Sequence, residues 1–239
     1  MSDMQRVQMF LGTPHLCGYL PQLTARNAYV DPAFRMDSGR YQWLVQNGFR
    51  RSGAHVYRPH CADCQRCMPV RIATAEFRAS RSQRRCIARN GDLKLNVVDD
   101  LADEHYELYR RYLAARHPGA GMDADNRDAF HSFLECPWGK ARFWEFRADQ
   151  RLLAVAVVDV LPRALSAVYT FFDPAESARS LGTYAVLAQI AHARELGLQH
   201  VYLGYWVSGS RKMDYKKNFH PLELLQGLNW RAQPPPPLG

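Results

Sequence analysis

Three apolar segments joined by two very short connections constrain this chain more than any other feature. Residues 142–147, RFWEFR, alternate charged and aromatic side chains, which is the period-two pattern of a strand. Residues 152–158 are continuously apolar up to Asp159, as expected of a strand covered on both faces. Residues 165–172 form a third strand-like run. Ala148-Asp149-Gln150 and Pro162-Arg163 between them are too short for a crossover, so the three strands are expected as an antiparallel meander. Residues 182–196 then repeat apolar positions at helical spacing, closed by Gly197, and residues 200–203 read as another strand. A meander followed by a helix and a strand implies an α+β unit with the helix packed on the sheet.

The apolar run of seven residues is far below the ~20 that a membrane-spanning helix needs. The chain of 239 residues is 47% hydrophobic and 23% charged, which gives it enough apolar side chains for a sizeable core and excludes a disordered chain. No period of 20–50 residues repeats, which excludes a solenoid. Asp3 and the lack of an apolar stretch at the start argue against a secretory signal, so no membrane contact and a cytoplasmic protein are expected.

The first ninety residues read differently. Asp37 caps a short helix through Tyr41 and Val45 that Gly48 ends; residues 55–58 and 68–73 read as strands; residues 80–90 read as a basic helix ended by Gly91. Leu93, Leu95 and Val97 alternate on one further strand, and residues 101–116 and 126–134 have helical spacing with a polar loop, 117–125, between them. Strand material returns at 222–225 and 228–230. The expected organisation is a basic N-terminal α/β domain over 1–91, a larger domain over 92–232, and an extended Pro-rich tail over 233–239.

Charge follows the same division. The net charge of +8 is concentrated in residues 1–100, which hold 15 Lys and Arg against 8 Asp and Glu. Arg78, Arg81, Arg84, Arg85, Arg89 and Lys94 face a single acid, Asp92, over that stretch. Guanidinium forks match phosphate oxygens, so a polyanion such as RNA is the expected partner; a solvated basic face is the plain alternative. Only five of the 31 basic residues are lysine, and three of those fall at Lys212, Lys216 and Lys217. At i and i+4, Lys212 and Lys216 could share a helix face.

Cys61, Cys64 and Cys67 stand three apart twice. With Cys17 or His60 as a fourth group they could ligate Zn(II) or an iron–sulfur cluster, or simply pack as reduced thiols. Arg179-Ser180-Leu181-Gly182-Thr183 follows a strand and opens the long helix, where free amides make an anion site. With three antiparallel strands before it and a helix–strand after it, this part looks like an acyl-CoA N-acyltransferase (GNAT) fold, in which that turn holds a phosphate. No P-loop, zinc-protease, nucleophile-elbow or dinucleotide motif competes with that assignment.

Two groups of blocks, in order, carry a more specific likeness. The first is Cys17-Gly18-Tyr19-Leu20-Pro21, Gly48-Phe49-Arg50-Arg51-Ser52-Gly53, Tyr57-Arg58-Pro59 and Pro69-Val70-Arg71-Ile72. The second is Tyr169-Thr170-Phe171-Phe172-Asp173-Pro174, Ser180-Leu181-Gly182, Tyr202-Leu203-Gly204-Tyr205-Trp206 and Lys212-Met213-Asp214-Tyr215-Lys216. Over residues 10–231 the chain resembles the arginyl-tRNA–protein transferases, and its CxxCxxC resembles the bacterial branch that uses leucyl-tRNA. The resemblance implies transfer of leucine from leucyl-tRNA to proteins beginning with Asp or Glu, which marks them for N-degron degradation, and no cofactor for transfer itself.

On that reading the reaction is aminolysis of an ester. An α-amine with a reference pKa of about 8 needs positioning more than a strong base. Glu145, Asp159 and Asp173 are candidate proton acceptors, and Tyr169 or Tyr202 could donate to the oxyanion. Arg116, Arg179, Ser180, Gly182, Thr183, Lys212, Tyr215 and Lys216 are candidates for binding the acidic acceptor or the tRNA end. Arg71 and Arg78 could serve either role, and Arg78, Arg81, Arg84, Arg85 and Arg89 are expected along the tRNA backbone. Phe171, Phe172, Tyr202, Tyr205 and Trp206 could line an apolar pocket for leucine. An arginyl-tRNA donor, a small-molecule acetyl-CoA N-acetyltransferase and a non-enzymatic RNA-binding module are the alternatives.

Overall fold

In the computed structural model, which describes residues 7–116 and 125–233, the expected meander is the middle of a larger sheet. The N-terminal segment contributes β1 (Met9–Leu11), β2 (His15–Leu16), β3 (Thr24–Ala25), β4 (Asn27–Val30), α1 (Ser38–Gln46), β5 (Arg50–Ser52), β6 (His55–Pro59), β7 (Cys67–Ala73) and α2 (Arg81–Arg89). There follow β8 (Lys94–Val98), α3 (Asp103–Arg116), α4 (Arg127–Leu134), β9 (Ala141–Ala148), β10 (Arg151–Leu161) and β11 (Ala164–Phe172). The chain continues through a 3₁₀ segment (Pro174–Arg179), α5 (Leu181–Glu195), β12 (His200–Val207), a second 3₁₀ segment (Arg211–Asn218), β13 (Leu222–Gln226) and β14 (Asn229–Gln233). The loop expected over 117–125 and the tail beyond 233 lie outside the described residues, apart from Asp125 and Gln233.

Local chemistry sets the helix ends. The Asp37 carboxylate accepts from the Arg40 amide at 2.8 Å and starts α1. Ser80 and Gln83 form a reciprocal capping box at the start of α2. Asn126 accepts from the Ala129 amide at 2.8 Å and starts α4.

The large sheet has eight strands in the order β14-β13-β7-β12-β11-β10-β9-β8. Its neighbours are antiparallel except β11 and β12, which run parallel. The strand expected beside the cysteines, β7, lies inside this sheet between β13 and β12, so the first ninety residues supply one of its central strands. A smaller sheet, β1-β4-β6-β5, packs with α1 over one end. The fold is thus α+β with a small N-terminal sheet and a larger mixed sheet.

β10 is buried on both faces, which explains its uninterrupted apolar run. On one face α5 and α2 cover Leu153, Ala154, Ala156 and Val158. On the other, α3 and α4 close over Val155, Val157 and Phe171 with Tyr109, Leu113 and Phe130. Burying aliphatic and aromatic side chains of this kind contributes roughly 1.5–3 kcal/mol each. β8 is an edge strand and leaves Leu95 and Val97 exposed.

Candidate active site

The site begins where two parallel strands part. β11 and β12 pair only from Ala164↔His200 to Ser166↔Tyr202. Just beyond that point β12 shifts register against β7 between Tyr202 and Gly204, and β11 shifts against β10 at Val157/Val158. Carbonyls that a continuous ladder would satisfy are left facing a gap, and the Arg50 guanidinium fills it. Its Nη2 donates to the Ala167 and Val168 carbonyls at 2.8 and 3.0 Å, and its Nη1 donates to the Leu203 carbonyl at 3.3 Å. Gly204 makes room for it: φ is +71°, and a Cβ there would sit 1.4 Å from Arg50 Nη1.

An aromatic cluster packs around Tyr169 at the end of β11. The Tyr169 ring lies 5.1 Å from Phe133, 6.2 Å from Tyr109 and 6.3 Å from Tyr112. The Tyr169 hydroxyl is buried and has no hydrogen-bond partner among the described residues, and burial pushes its pKa well above the usual tyrosine value. Tyr112 also packs edge-on to Phe172 at 5.0 Å, and the Arg116 guanidinium sits 5.5 Å above the Phe172 ring. Phe172 in turn rests on Gly182, where an added Cβ would meet the ring at 3.3 Å. Gly182 is therefore a packing position as well as the start of α5. Tyr169, Arg116 and the α5 N-terminus, picked out separately in the sequence, lie along one continuous wall.

The lysine-bearing segment packs against β12. The expectation that Lys212 and Lys216 share a helix face does not hold. The segment is a 3₁₀ helix of three residues per turn, so i and i+4 point apart. Lys212 is exposed, whereas Lys216 is only 3% exposed and donates from Nζ to the Tyr205 carbonyl at 2.6 Å. Burial, reinforced by the nearby Arg50 charge, pushes Lys216 well below the ordinary lysine value. Lys217 pairs with Asp214 at 3.1 Å. The Tyr215 hydroxyl is within electrostatic reach of both Arg50 and Tyr112, and burial pushes its pKa up to about 12.

Other candidates lie elsewhere or are already engaged. The Tyr202 hydroxyl accepts from Arg71 Nη1 at 3.3 Å, and the Tyr202 ring packs 5.7 Å from Trp230, beside the small sheet. Asp173 caps the first 3₁₀ segment by accepting from the Ala175 amide at 3.0 Å. Arg179 holds Asp92 and Glu176 at 2.8 and 3.0 Å. Ser180 adopts a left-handed φ of 56° and makes no side-chain cap, while its carbonyl accepts from the Thr183 amide at 3.0 Å. Asp159 is bound by Arg51 at 2.6 Å. Glu145 takes bonds from His105 at 2.7 Å, Arg147 at 2.9 Å and Asn96 at 3.0 Å. Burial raises the Glu145 pKa, but these donors outweigh it and bring the carboxyl down to about 2. Phe171 and Trp206 belong to the hydrophobic core.

α2 lies against α5 and the turn that precedes it. Asn90 donates to the Arg179 carbonyl at 2.9 Å, and Arg89 reaches the Ala178 carbonyl. Arg78, Arg81, Arg84, Arg85 and Arg89 are all exposed. The basic helix and the expected phosphate turn therefore form one continuous surface, although 90 residues separate them in sequence.

The thiols gather under the same lobe. Cys17, Cys64 and Cys67 pack around Leu20, Tyr205, Val207 and Met213, and Cys61 Sγ donates to the Arg26 carbonyl at 3.7 Å. Burial, with the neighbouring thiols adding, pushes Cys67 up to about 12. Among the described residues no group of three or more His, Cys, Asp or Glu side chains is placed to hold an ion. Likewise, among these residues no helix is long and apolar enough to cross a membrane.

Arg50 is a residue of this region that the sequence alone did not single out. It stands in a recognisable block, but the three carbonyls it binds come from strands more than 110 residues away.

Comparison with known proteins identifies the family. The model for the N terminus of arginine-tRNA-protein transferase matches residues 15–85, and that for its C terminus matches residues 104–226. The chain is 47% identical over 231 residues to an aspartate/glutamate leucyltransferase of Pseudomonas fluorescens, covering 96% of this chain and 98% of the relative. It is 45% identical over 232 residues to the enzyme of that name from Saccharophagus degradans, covering 96% and 98%. Among solved structures, a C-terminal DUF2156 domain from Agrobacterium fabrum aligns with a TM-score of 0.46 at 18% identity, covering 59% of this chain and 47% of that one. L-PGS from Bacillus licheniformis aligns with a TM-score of 0.41 at 12% identity, covering 60% and 48%. With both halves matched in order and near-full-length identity to these enzymes, the chain belongs to the arginine-tRNA-protein transferase family, among its aspartate/glutamate leucyltransferases.

Proposed function

We propose that this protein transfers leucine from leucyl-tRNA to the α-amine of proteins whose first residue is Asp or Glu, at the parting of β11 and β12. The observation that carries the reading is the near-full-length identity to aspartate/glutamate leucyltransferases, which spans both the basic segment and the large sheet. The order of meander, phosphate-type turn, long helix and parted parallel strand supports a GNAT-like assignment for the C-terminal part, residues 92–232. A substrate of this kind places the protein in the cytoplasm.

The neutral α-amine attacks the ester carbonyl. A C–N bond forms, the C–O bond to the terminal ribose breaks, and the amine proton passes to the departing ribose oxygen or to water. Glu145, Asp159 and Asp173 are each held by other groups, so positioning supplies most of the acceleration. The Tyr169 hydroxyl is the donor for the developing oxyanion. It is buried, unpartnered among the described residues and stays protonated, so it can donate without first breaking another bond. Tyr112, Phe133 and Phe172 give leucine an apolar wall. The first amides of α5, with Arg116 nearby, take a phosphate of the tRNA end, and the exposed arginines of α2 take the tRNA backbone.

The test is a transfer assay. Leucyl-tRNA and a peptide beginning with Asp should give a product longer by one leucine. Acetyl-CoA in place of the tRNA should give none. Acetylation without leucylation would replace this reading with a small-molecule acetyltransferase.

A further inference from the structure

Neighbouring arginines in the Gly48–Gly53 block meet opposite fates. Arg51 is buried against its own carboxylate, Asp159, at 2.6 Å. Arg50 is half-buried, and among the described residues its hydrogen-bond partners are backbone carbonyls alone. Lys216 is buried too, and it also ends on a carbonyl, that of Tyr205. Tyr205 follows Gly204, against which the Arg50 guanidinium lies, so the two cationic side chains end on adjacent residues of β12. Among the described residues neither makes an ion pair.

A buried amine beside a guanidinium, with no counter-charge between them, is held in its charged form only at a cost, which an incoming anion would offset. Carbonyl dipoles orient them but leave the net charge uncompensated. The three bonds Arg50 makes also leave two of its five N–H groups unspoken for. Such an arrangement is complementary to an anion that meets the two side chains where they end, beside Gly204 and Tyr205. The other basic candidates differ: Arg179 and Lys217 already hold carboxylates, and Lys212 stands in solvent, where its charge discriminates weakly.

We infer that Arg50 and Lys216 together bind the side-chain carboxylate of the acceptor's N-terminal Asp or Glu, and that they set the enzyme's preference for acidic first residues. This rests on the proposed leucyl transfer and deepens it. A site built this way rejects Asn and Gln, because a neutral amide gives Arg50 no counter-charge and does not favour protonation of Lys216. It also accounts for Gly204, since the guanidinium can reach the gap only where β12 carries no side chain.

The experiment compares peptides beginning with Asp and Asn, using leucyl-tRNA and the full-length protein. Wild type should favour Asp by about 100-fold or more in kcat/KM. Lys216→Met and Arg50→Gln should each bring that ratio down at least tenfold, mainly through KM for the peptide, with the Kd for leucyl-tRNA within twofold of wild type. Arg50→Lys, which keeps the charge, should retain most of the preference. An unchanged ratio in folded Lys216→Met, or a loss confined to tRNA affinity, overturns the assignment.

Arg50→Gln also removes bonds that hold the strands, so a measurement on wild type accompanies it. A peptide with 13C at the Asp side-chain carboxyl should show a pKa lowered on binding. An unshifted value in the complex overturns the assignment without any substitution. If wild type transfers no leucine at all, the functional reading fails, and calorimetric binding of the Asp and Asn peptides still decides whether the two cations read a carboxylate.

Discussion

The Arg51 guanidinium embraces Asp159, with Nη2 2.6 Å from one carboxylate oxygen and Nε 2.8 Å from the other. Both side chains are almost wholly enclosed. The pair joins β5 of the small sheet to β10 in the middle of the large one. Arg51 also donates to the Leu134 and Glu135 carbonyls at 3.1 and 3.0 Å, so it ties down the end of α4 as well. Arg50, the next residue, points into the opening between β11 and β12. Strand alternation thus sends two consecutive arginines to two tasks, one anchoring the small sheet and the other shaping the site.

Removing one partner of that pair should be expensive. Arg51→Ala leaves Asp159 buried and unpaired, and the expected loss is about 3–5 kcal/mol. Urea unfolding followed by circular dichroism measures it. A double change to apolar residues, Arg51→Met with Asp159→Leu, should recover most of the loss. A single-mutant loss under about 1 kcal/mol would contradict the role given to the pair.

Gly204→Ala tests the shape of the opening. The new methyl would collide with Arg50 and would also demand a φ of +71° from a residue with a Cβ. Leucine transfer should fall by about 100-fold or more. tRNA affinity, which depends on the exposed face of α2, should stay near wild type. Single-turnover transfer and filter binding separate the two, and equal losses in both would count against this division of labour.

Glu145 gives a pH signature in stability. Its pKa is lowered from an ordinary 4.5 to about 2, so folding is favoured by its ionised form. That contribution is present in full above about pH 4.5 and is lost as pH falls from there toward 2. Glu145→Gln should therefore flatten the decline in stability across that window. Denaturant midpoints at successive pH values check it, and an equally steep decline in the variant would show that the His105, Arg147 and Asn96 bonds do not control Glu145.

The basic helix predicts a salt effect. Each phosphate contact contributes roughly 0.7–0.9 to the slope of log affinity against log salt. Arg84→Ala with Arg85→Ala should flatten that slope by about 1.5. Nitrocellulose binding of leucyl-tRNA at several salt concentrations measures it, and an unchanged slope would move the tRNA away from α2.

Much of this was legible from local sequence. The meander, α5 and the basic α2 with its capping box rest on periodicity and on residues within a few positions of each other. The family blocks were readable in the same way. What long-range pairing decides was not legible. The strand Cys67–Ala73 shows its apolar residues but not that it inserts between β13 and β12. Glu145 and Asp159 look like free carboxylates until the fold brings His105 and Arg51 to them. Lys212 and Lys216 look equivalent until a 3₁₀ geometry turns one outward and the other in. Tyr169 and Tyr202 were equivalent candidates in the sequence; that the Tyr169 hydroxyl has no partner among the described residues depends on how α3 and α4 close over β11. Arg50 was present in a family block, yet its task depends on carbonyls that only the parting of two distant strands exposes.

The most direct measurement pairs leucyl-tRNA and arginyl-tRNA with peptides beginning in Asp, Glu, Lys and Ala, and weighs the products by mass spectrometry. The account predicts one added leucine on the Asp and Glu peptides, and little product from arginyl-tRNA or from the Lys and Ala peptides. Equal modification of all four peptides, preferential use of arginyl-tRNA, or no lengthened product from any combination would contradict it.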